Sequence, residues 1–490
     1  MWSCCSTKCA KWTNLSMATL FVALGISLVL EWEKTFQRII NYELSVCSEK
    51  TKGFKMWKET PIPMYLEFHM FNWTNAHLVA KDSGIKPAFV DLGPYVFYEH
   101  HIRDNVTFHD NDTITYLNKR LWHFEADKSN GTLEDVITIL NPLVVIVANV
   151  IKDEHYLVKR AVNFFLEEKG ESLFLHKNVR ELLFDGYDDG LIDIALKLNI
   201  SGFNLPFTKF GWFVDRNGSA TYDGVFNMYS GGNDIRKLGL ITRWNYEHET
   251  SYYPGECAVV NGSSGELWYA PHDDKEVAIF SPDMCSNVKL HRSGTFTLYG
   301  IEGNEYVGQD DVFDNGTKYE SSKCYASGVR TGVRGVSTCK FGAPAYMSYP
   351  HFYLADPGYI HDVDGMSPNA ELHATKMALE PSTGMPLHVK AAFQLNLLMS
   401  QMEGIDVLAK MKTTMMPCFW FAQKAELTED LSVLAKTILI GKPAGVYTGY
   451  GILGLGILLF VIFGFITYKT GWKTASYRKV DIVDASQHDG

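Results

Sequence analysis

The sequence predicts an α+β membrane protein in which two transmembrane helices enclose one large ectodomain. Long uncharged apolar segments lie near both ends of the chain, at residues 12–30 and 443–468. Between them, short aromatic and β-branched runs alternate with turn residues, which is typical of antiparallel β structure. One stretch in the middle, residues 132–187, has a helical pattern instead.

The C-terminal apolar segment gives the stronger membrane signal. Pro443–Tyr468 contains 26 residues without a charge, whereas about 20 apolar residues suffice for a helix to cross a bilayer. Basic residues follow at once, beginning with Lys469 and Lys473. Because basic residues favour the cytoplasmic side, we expect residues 469–490 to form a cytoplasmic tail.

The N-terminal apolar segment, Trp12–Leu30, has 19 uncharged residues and follows two lysines, Lys8 and Lys11. A cleaved signal peptide is the alternative, but its apolar region spans about 7–15 residues and precedes a small-residue cleavage site. Here the apolar run is longer and gives way to Glu31. We therefore predict an uncleaved anchor, with residues 1–11 in the cytoplasm.

Two spans with both ends in the cytoplasm place residues 31–442 on the far side of the membrane, as one ectodomain of 412 residues. The formal net charge of the chain is −11, and its two ends carry an excess of basic residues, so the ectodomain is acidic. An acidic ectodomain disfavours nucleic acid as a partner, because phosphates require a basic surface.

Asparagine sequons support an extracytoplasmic location, since Asn-x-Ser/Thr is the acceptor for N-glycosylation in exposed segments. A sequon at Asn14 lies at the cytoplasmic edge of the first span, and we expect it to stay unmodified. The eight predicted glycosylation sites in the ectodomain are Asn72, Asn105, Asn111, Asn130, Asn199, Asn217, Asn261 and Asn315.

The nine cysteines divide in the same way. Cys4, Cys5 and Cys9 precede the first span on the cytoplasmic side, where thiols stay reduced. We interpret these three as palmitoylation sites, with unmodified thiols as the alternative. Six cysteines in an oxidising ectodomain allow up to three disulfides, in 15 possible pairings. The six are Cys47, Cys257, Cys285, Cys324, Cys339 and Cys418.

Within the ectodomain, the pattern predicts a β-hairpin at Thr107–Phe124 with its turn at residues 109–112. Residues 132–187 are predicted to be largely helical, because acidic residues follow an Asn-Gly turn at their start. Leu140–Ile151 is strongly apolar but shorter than a membrane span. A helix is also predicted at His155–Lys169. Its apolar residues near one stripe are Leu157, Val158, Ala161, Val162, Phe165 and Leu166.

Catalytic, phosphate-binding, zinc and redox motifs are not found in an aqueous segment of the sequence, so we expect neither an enzyme nor a cofactor or metal site. A Gly-x-Gly-x-x-Gly pattern at Gly449, Gly451 and Gly454 lies inside the second span. Gly441, Gly445 and Gly449 instead give a small-residue face for helix packing in lipid. The partner of this face is either the first span or a second copy of the chain, which would form a homo-oligomer.

An ordered set of local motifs runs through nearly the whole chain. They are Leu92–Tyr95, Arg180–Tyr187, Asp223–Phe226, Pro350–Ala355, Asp364–Asn369, Glu380–Gly384 and Gln394–Leu398. In these motifs the chain resembles the class B scavenger receptors, in particular their croquemort-like members. The resemblance implies an antiparallel β-barrel core, a helical apex at about residues 132–187, and a lipid tunnel that runs towards the membrane.

The resemblance also implies a pattern of cysteine pairing. Cys47 and Cys418 have no assigned partner, and they are either free or paired with each other. The two disulfides of the family map onto Cys257–Cys324 and Cys285–Cys339.

Two ligand-binding residues follow from the resemblance. Leu157 falls where relatives present an exposed apolar residue for partner binding, with ordinary core packing as the alternative. Lys169 replaces a basic apex residue of the family if the helix end shifts by one position. The alternative for Lys169 is a solvated surface lysine.

The predicted tail contains a tyrosine-based internalisation motif, in which Val480 follows Tyr477 by three positions, although so short a pattern also arises by chance. It lacks an acidic dileucine resembling that of the lysosomal relative, which favours the plasma membrane, with endosomes reached after uptake. The resemblance implies a receptor for lipids, lipoproteins, apoptotic cells and microbial surfaces. The alternative is a conduit that delivers fatty acids, carotenoids or pheromones to the membrane.

Overall fold

The chain divides into two compact units. Met1–Ile40 and Ala435–Gly490 form one unit, and Asn41–Leu434 forms the other. The residues that this computed structural model describes are 4–192, 208–269, 274–340 and 342–471.

The secondary structure of the described residues is mixed, with long helices at the two ends and strands throughout the second unit. The helices are α1 (Cys4–Leu44), α2 (Lys52–Lys58), α3 (Ala76–Val79), α4 (Pro142–Val150), α5 (Tyr156–Glu168), α6 (Pro357–Asp362), α7 (Ala370–His373) and α8 (Glu429–Thr470). The strands are β1 (Met64–Trp73), β2 (Phe89–Phe108), β3 (Thr113–Phe124), β4 (Val136–Leu140), β5 (Phe174–Asn178), β6 (Val225–Tyr229), β7 (Ile241–Trp244), β8 (Glu276–Ser281), β9 (Ser286–Leu298), β10 (Ile301–Val307), β11 (Arg334–Gly335), β12 (Ala345–Ser348), β13 (Lys376–Leu379), β14 (Pro386–Met399) and β15 (Thr414–Glu426).

Helices α1 and α8 are the candidate membrane spans. Their segments Lys11–Leu44 and Glu429–Lys469 are long and apolar enough to cross a membrane. Both extend beyond the apolar cores predicted at residues 12–30 and 443–468, because polar helical turns continue each core. Two terminal apolar helices fit a membrane protein, and the orientation of the termini stays a prediction.

The glycine face of α8 packs against α1. Trp32 Nε1 donates a hydrogen bond to the carbonyl oxygen of Gly441 at 3.2 Å. A Cβ at Gly445 would lie 1.9 Å from the Trp32 indole, and a Cβ at Gly449 would lie 3.0 Å from the backbone nitrogen of Val29. Small residues thus let the two helices approach closely. Of the two partners considered for this face, the structure shows the first span.

The β core is one antiparallel sheet of thirteen strands among the described residues, in the order β7-β6-β3-β2-β1-β15-β14-β13-β10-β9-β8, with β12 paired to β14 and β11 to β12. The segment between β7 and β8 joins the two edges. Ile241 N donates to Gly262 O at 2.9 Å, and Ser263 N donates to Ala278 O at 2.7 Å. Because this closing segment, residues 261–268, pairs with both edge strands, the sheet forms a barrel-like wall. The predicted antiparallel barrel core is confirmed.

Alternation along each strand decides which side chains face the interior. On β1, Leu66, Phe68 and Met70 are buried, whereas the residues between them are half-buried. Phe68 pairs with Phe421 of β15, and the two ring centroids lie 6.2 Å apart. The period of two in the sequence therefore gives the wall an apolar inner face.

The middle stretch, residues 132–187, is less helical than predicted. Helices α4 and α5 are present, but β4 and β5 pair as a separate two-stranded sheet, with Ile137 opposite Lys177. The run Val136–Leu140 is rich in β-branched residues, which favour a strand. Its partner strand, β5, follows only after two helices. The prediction of a largely helical region was therefore wrong for the two strands, Val136–Leu140 and Phe174–Asn178.

Helix α5 agrees with the helix predicted at residues 155–169, but only the C-terminal half of the predicted apolar stripe, which includes Val162 and Leu166, packs inward. The first-turn residues Leu157 and Val158 are exposed, and a polar residue, Asn163, is buried in their place. Asn163 tolerates burial because it accepts from the backbone nitrogen of Asp406 at 2.7 Å and donates to the Asp406 carboxylate at 3.1 Å. A hydrogen-bonded polar group inside the protein costs little.

The hairpin predicted at residues 107–124 is present as β2 and β3, with its turn at residues 109–112. β2 begins much earlier, at Phe89, and pairs with both β1 and β3. The predicted hairpin is therefore the outer part of a longer pair of strands.

Four cysteines of the second unit form two disulfides. Cys47 and Cys418 are free thiols, and burial raises the pKa of Cys418 to about 12. The bonded pairs have Cα–Cα distances of 6.0 and 6.4 Å, and they are Cys257–Cys324 and Cys285–Cys339 respectively.

Candidate functional site

The barrel-like wall encloses a cavity, called the barrel cavity below. Ten strands contribute to its lining: β1, β2, β3, β6, β7, β8, β9, β12, β14 and β15. The space free of protein atoms, including its openings to solvent, measures about 1440 Å³.

One side of the barrel cavity is apolar. β14 contributes Val389, Ala391 and Phe393 at alternate positions, and the adjacent β15 and β1 contribute Phe421 and Met64. These side chains offer hydrocarbon and aromatic surface. Burial of apolar ligand surface against them is favourable by about 25 cal/mol per Å².

A second side of the cavity is charged. Glu99, His101 and Arg103 follow one another at two-residue spacing on β2, and Arg120 of β3 pairs with His101 in the register. Glu266 of the closing segment lies with its carboxylate 2.6 Å from His101 Nδ1 and forms an ion pair with Arg103. Glu99 binds the other imidazole nitrogen of His101. His101, Arg120 and Glu266 line the cavity directly.

These groups keep their charges because each stabilises another. Burial alone would raise the pKa of Glu99, but the charge and hydrogen bond of His101, helped by Arg120, lower it to about 2. Burial lowers the pKa of His101, yet the charges of Glu99 and Glu266 raise it above its ordinary value. Burial also opposes ionisation of Glu266, and Arg103 with His101 holds its pKa well below the usual range. The charged side is therefore a set of mutually neutralised ions.

A second ion network continues this side. Arg216 is buried and lies 2.8 Å from Asp223 and 3.0 Å from Asp283. Asp223 also lies 3.2 Å from Arg120, which connects the two networks, and Asp283 lines the cavity. Burial would raise the pKa of Asp283, but the charges of Arg216 and Lys340 hold it well below the usual range.

Metal binding is not indicated by this arrangement. Within the part of the chain that the structure describes, no group of three or more His, Cys, Asp or Glu side chains is arranged to hold a metal ion. The side chains of the charged side instead bind one another.

The two predicted ligand residues lie at opposite ends of α5. Leu157, in the first turn, is 69% exposed. Lys169 is exposed at the C-terminal cap, so about 18 Å of helix separates the two positions. The structure therefore does not bring them into one site.

Leu157 belongs to an exposed apolar surface, called the α5 patch below. Arg160 lies within this helix and contacts Asp406 at 2.6 Å, which ties α5 to the loop before β15. Exposed apolar patches of this kind mark interaction surfaces. The α5 patch consists of Tyr156, Leu157, Val158 and Phe164.

The sequon asparagines differ in their surroundings. Asn72 is half-buried, and its Oδ1 accepts a hydrogen bond from Thr138 N at 2.9 Å. Asn315 is also half-buried, and its Nδ2 donates to Val329 O at 2.7 Å. A glycan at either position must accommodate these contacts. The exposed sequon asparagines are Asn105, Asn111, Asn130, Asn217 and Asn261.

Several predicted modification sites fall outside the described residues. These are the sequon at Asn199 and the internalisation motif from Tyr477 to Val480. The same holds for the side chains of the predicted palmitoylation sites, Cys4, Cys5 and Cys9.

The charged side of the cavity was not among the features predicted from the sequence. A signal for it exists in β2, where Glu99, His101 and Arg103 occupy alternate positions and therefore share one face of a strand. Their partner Glu266 lies far away in the chain, so the pairing itself has no local signal.

Comparison with known proteins identifies the family of the chain. The CD36 family matches residues 16–467. Protein peste of Drosophila melanogaster is 32% identical over 443 residues, which cover 89% of this chain and 79% of the fly protein. Scavenger receptor class B member 1 of Mus musculus is 31% identical over 465 residues, covering 92% of this chain and 89% of the mouse protein. Lysosome membrane protein 2 of Homo sapiens is 26% identical over 473 residues, covering 94% of this chain and 96% of the human protein. The chain therefore belongs to the CD36 family, and its resemblance to the class B scavenger receptors is confirmed.

Proposed function

We propose that the chain is a scavenger receptor of the plasma membrane that binds lipid-bearing ligands and drives their uptake. The observation that carries this proposal is the barrel cavity, whose apolar side can cover acyl chains. Family membership supports it, because the similar proteins include Scavenger receptor class B member 1. The ligands are lipids, lipoproteins, and apoptotic-cell or microbial surfaces.

The α5 patch is the proposed contact for the ligand particle. Leu157 is exposed. Covering an apolar side chain with a partner removes it from water and lowers the free energy of the complex. Lys169 provides a separate positive charge at the far end of the helix, where it can meet an anionic part of the same large ligand.

The proposed topology has both termini in the cytoplasm and a glycosylated ectodomain outside the cell. Palmitoylation at Cys4, Cys5 and Cys9 would add membrane anchorage. Homo-oligomers would form through the other side of α8, where a Cβ at Gly451 or Gly454 would meet nothing within 4 Å among the described residues.

Uptake through the motif at Tyr477 and Val480 distinguishes a receptor from a lipid conduit. Cells that express Tyr477→Ala should internalise less fluorescent lipoprotein while binding the same amount at the surface. Arg478→Ala, at a variable position of the motif, is the matched control and should behave as the unchanged protein. Normal internalisation by Tyr477→Ala, together with lipid transfer into isolated membranes, would support the conduit instead.

A further inference from the structure

We propose that the barrel cavity selects lipids with an uncharged, hydroxyl-bearing head and excludes free fatty-acid anions. The inference rests on the proposed function, because it names the class of lipid that the same cavity takes. Long-chain alcohols, monoacylglycerols and sterols share this chemistry: a long apolar body that ends in a hydroxyl group.

The charged side chains that line the cavity do not favour an anionic head group. Carboxylates outnumber cations among the side chains that face the cavity. Two of these carboxylates already have a cationic partner, Arg103 for Glu266 and Arg216 for Asp283, so a ligand carboxylate would add a negative charge without a partner. The lining cations are His101 and Arg120, and the lining carboxylates are Glu266, Asp283 and Glu426.

Neither lining cation is free to pair with a ligand carboxylate. His101 is held between Glu99 and Glu266, one at each ring nitrogen. Arg120 lies 3.2 Å from Asp223 and 3.7 Å from Glu99. A buried carboxylate needs a paired cation or several hydrogen-bond donors to offset its lost hydration. Binding of a fatty-acid anion would have to break an existing buried ion pair.

Two buried polar oxygen atoms of the cavity lining lack a partner in the described part of the chain, an amide oxygen and a hydroxyl group. Asn118 lies on β3, two positions before Arg120, and Ser264 precedes Glu266 by two positions in the closing segment. Both residues line the cavity. Asn118 Oδ1 and Ser264 Oγ are buried and have no hydrogen-bond partner among the described residues.

A hydroxyl group suits these two atoms. It can donate its hydrogen to Asn118 Oδ1, or it can accept the hydroxyl hydrogen of Ser264. A carboxylate cannot donate, and an ester can only accept. The apolar body of such a lipid would lie along Ala391, Phe393 and Phe421 on the apolar side.

The test uses three lipids with the same hydrocarbon chain length and different heads: hexadecanol, methyl palmitate and palmitate. The full chain in detergent is incubated with an equimolar mixture at neutral pH and repurified, and the retained lipids are measured by mass spectrometry. Ala391→Trp, which fills the apolar side, gives the background of lipid held by the detergent and the membrane helices.

We expect the cavity-specific retention of hexadecanol to exceed that of palmitate at least about tenfold, with methyl palmitate between them. Asn118→Leu should lower retention of hexadecanol about fivefold and leave methyl palmitate unchanged. Asn233→Leu, an exposed asparagine outside the cavity, is the matched control. If Asn118→Leu does not fold, Ser264→Ala tests the same pair of atoms.

Two outcomes would overturn the inference in distinguishable ways. Palmitate retained as well as hexadecanol would refute the selection and leave the proposed lipid cavity intact. Equal retention of every lipid by the unchanged protein and Ala391→Trp would refute the lipid cavity as well.

Discussion

Glu266 forms a buried ion pair with Arg103 and so ties the closing segment to strand β2. The same carboxylate lies 2.6 Å from His101 and accepts a hydrogen bond from Thr60 Oγ1 at 3.1 Å. The closing segment is not a strand, and it meets the two edge strands through only a few backbone hydrogen bonds. Glu266 therefore stabilises the part of the wall where regular strand pairing is weakest.

Replacement of this carboxylate should destabilise the unit Asn41–Leu434. Glu266→Gln leaves Arg103, which is 3% exposed, without its charged partner, and the cost of such a loss is about 3 kcal/mol. The melting temperature of the full chain in detergent should fall by roughly 4 °C. Glu320→Gln is the matched control, because its pair with Lys323 is exposed and contributes little. Equal melting temperatures for the two variants would contradict the role given to Glu266.

His373 should make stability depend on pH. Its ring stacks on that of His351 at a centroid distance of 4.5 Å, and burial together with the charge of His351 lowers the pKa of His373 to about 4. The unfolded chain takes up this proton near pH 6.5, whereas the folded chain takes it up only near pH 4. The contribution of His373 to stability is therefore complete above about pH 6.5 and is lost as the pH falls towards 4, by up to about 3 kcal/mol.

The variant His373→Gln keeps an acceptor for the backbone N–H of Asn369 and removes the titrating group. Its melting temperature should fall less between about pH 7 and about pH 5 than that of the unchanged protein. A parallel pH dependence in the two proteins would show that His373 does not have a lowered pKa.

The α5 patch should contribute to ligand binding without contributing to stability. Leu157→Ser removes an exposed apolar side chain, so binding of lipoprotein to cells should fall several-fold while the melting temperature stays the same. Leu372→Ser in α7 is the control, since that leucine is also exposed and lies outside α5. A loss of binding in both variants would indicate a general effect of surface hydrophobicity.

The glycine face of α8 should be necessary for its packing on α1. Gly445→Leu would place atoms within the volume of the Trp32 indole, whereas a Cβ at Gly451 meets nothing within 4 Å among the described residues. Packing can be measured as the yield of a carbodiimide crosslink between Glu33 of α1 and Lys442 of α8, whose carboxylate and amino group lie 2.7 Å apart. Gly445→Leu should lower this yield several-fold and Gly451→Leu should not. Equal yields would contradict the contact.

The sequence predicts most of the fold where the pattern is local. The period of two along β1, β2 and β14 indicates a wall with one apolar face, and the two apolar segments indicate the terminal helices. The two-stranded β4–β5 sheet was missed because its strands are separated by α4 and α5, and only one of them, Val136–Leu140, has a clear strand pattern.

The candidate site was predicted less well, for a physical reason. Burial of Asn163 depends on Asp406, and burial of Arg103 depends on Glu266, and both partners lie more than a hundred residues away in the chain. A polar residue is therefore predicted to be exposed when only the sequence is considered, because the partner that permits its burial is not known. The exposed Leu157 was derived from the family resemblance and not from the helical stripe, which had assigned it to the core.

The most direct test of the account is the lipid content of the purified full chain and of its Ala391→Trp variant. Ala391 lies on the apolar side of the barrel cavity, and an indole there occupies the space proposed for acyl chains. Mass spectrometry of the extracted lipid should find a defined neutral lipid in the unchanged protein and severalfold less of it in the variant, with equal amounts of general membrane lipid in both. The same lipid content in both proteins would contradict the claim that the barrel cavity holds the ligand.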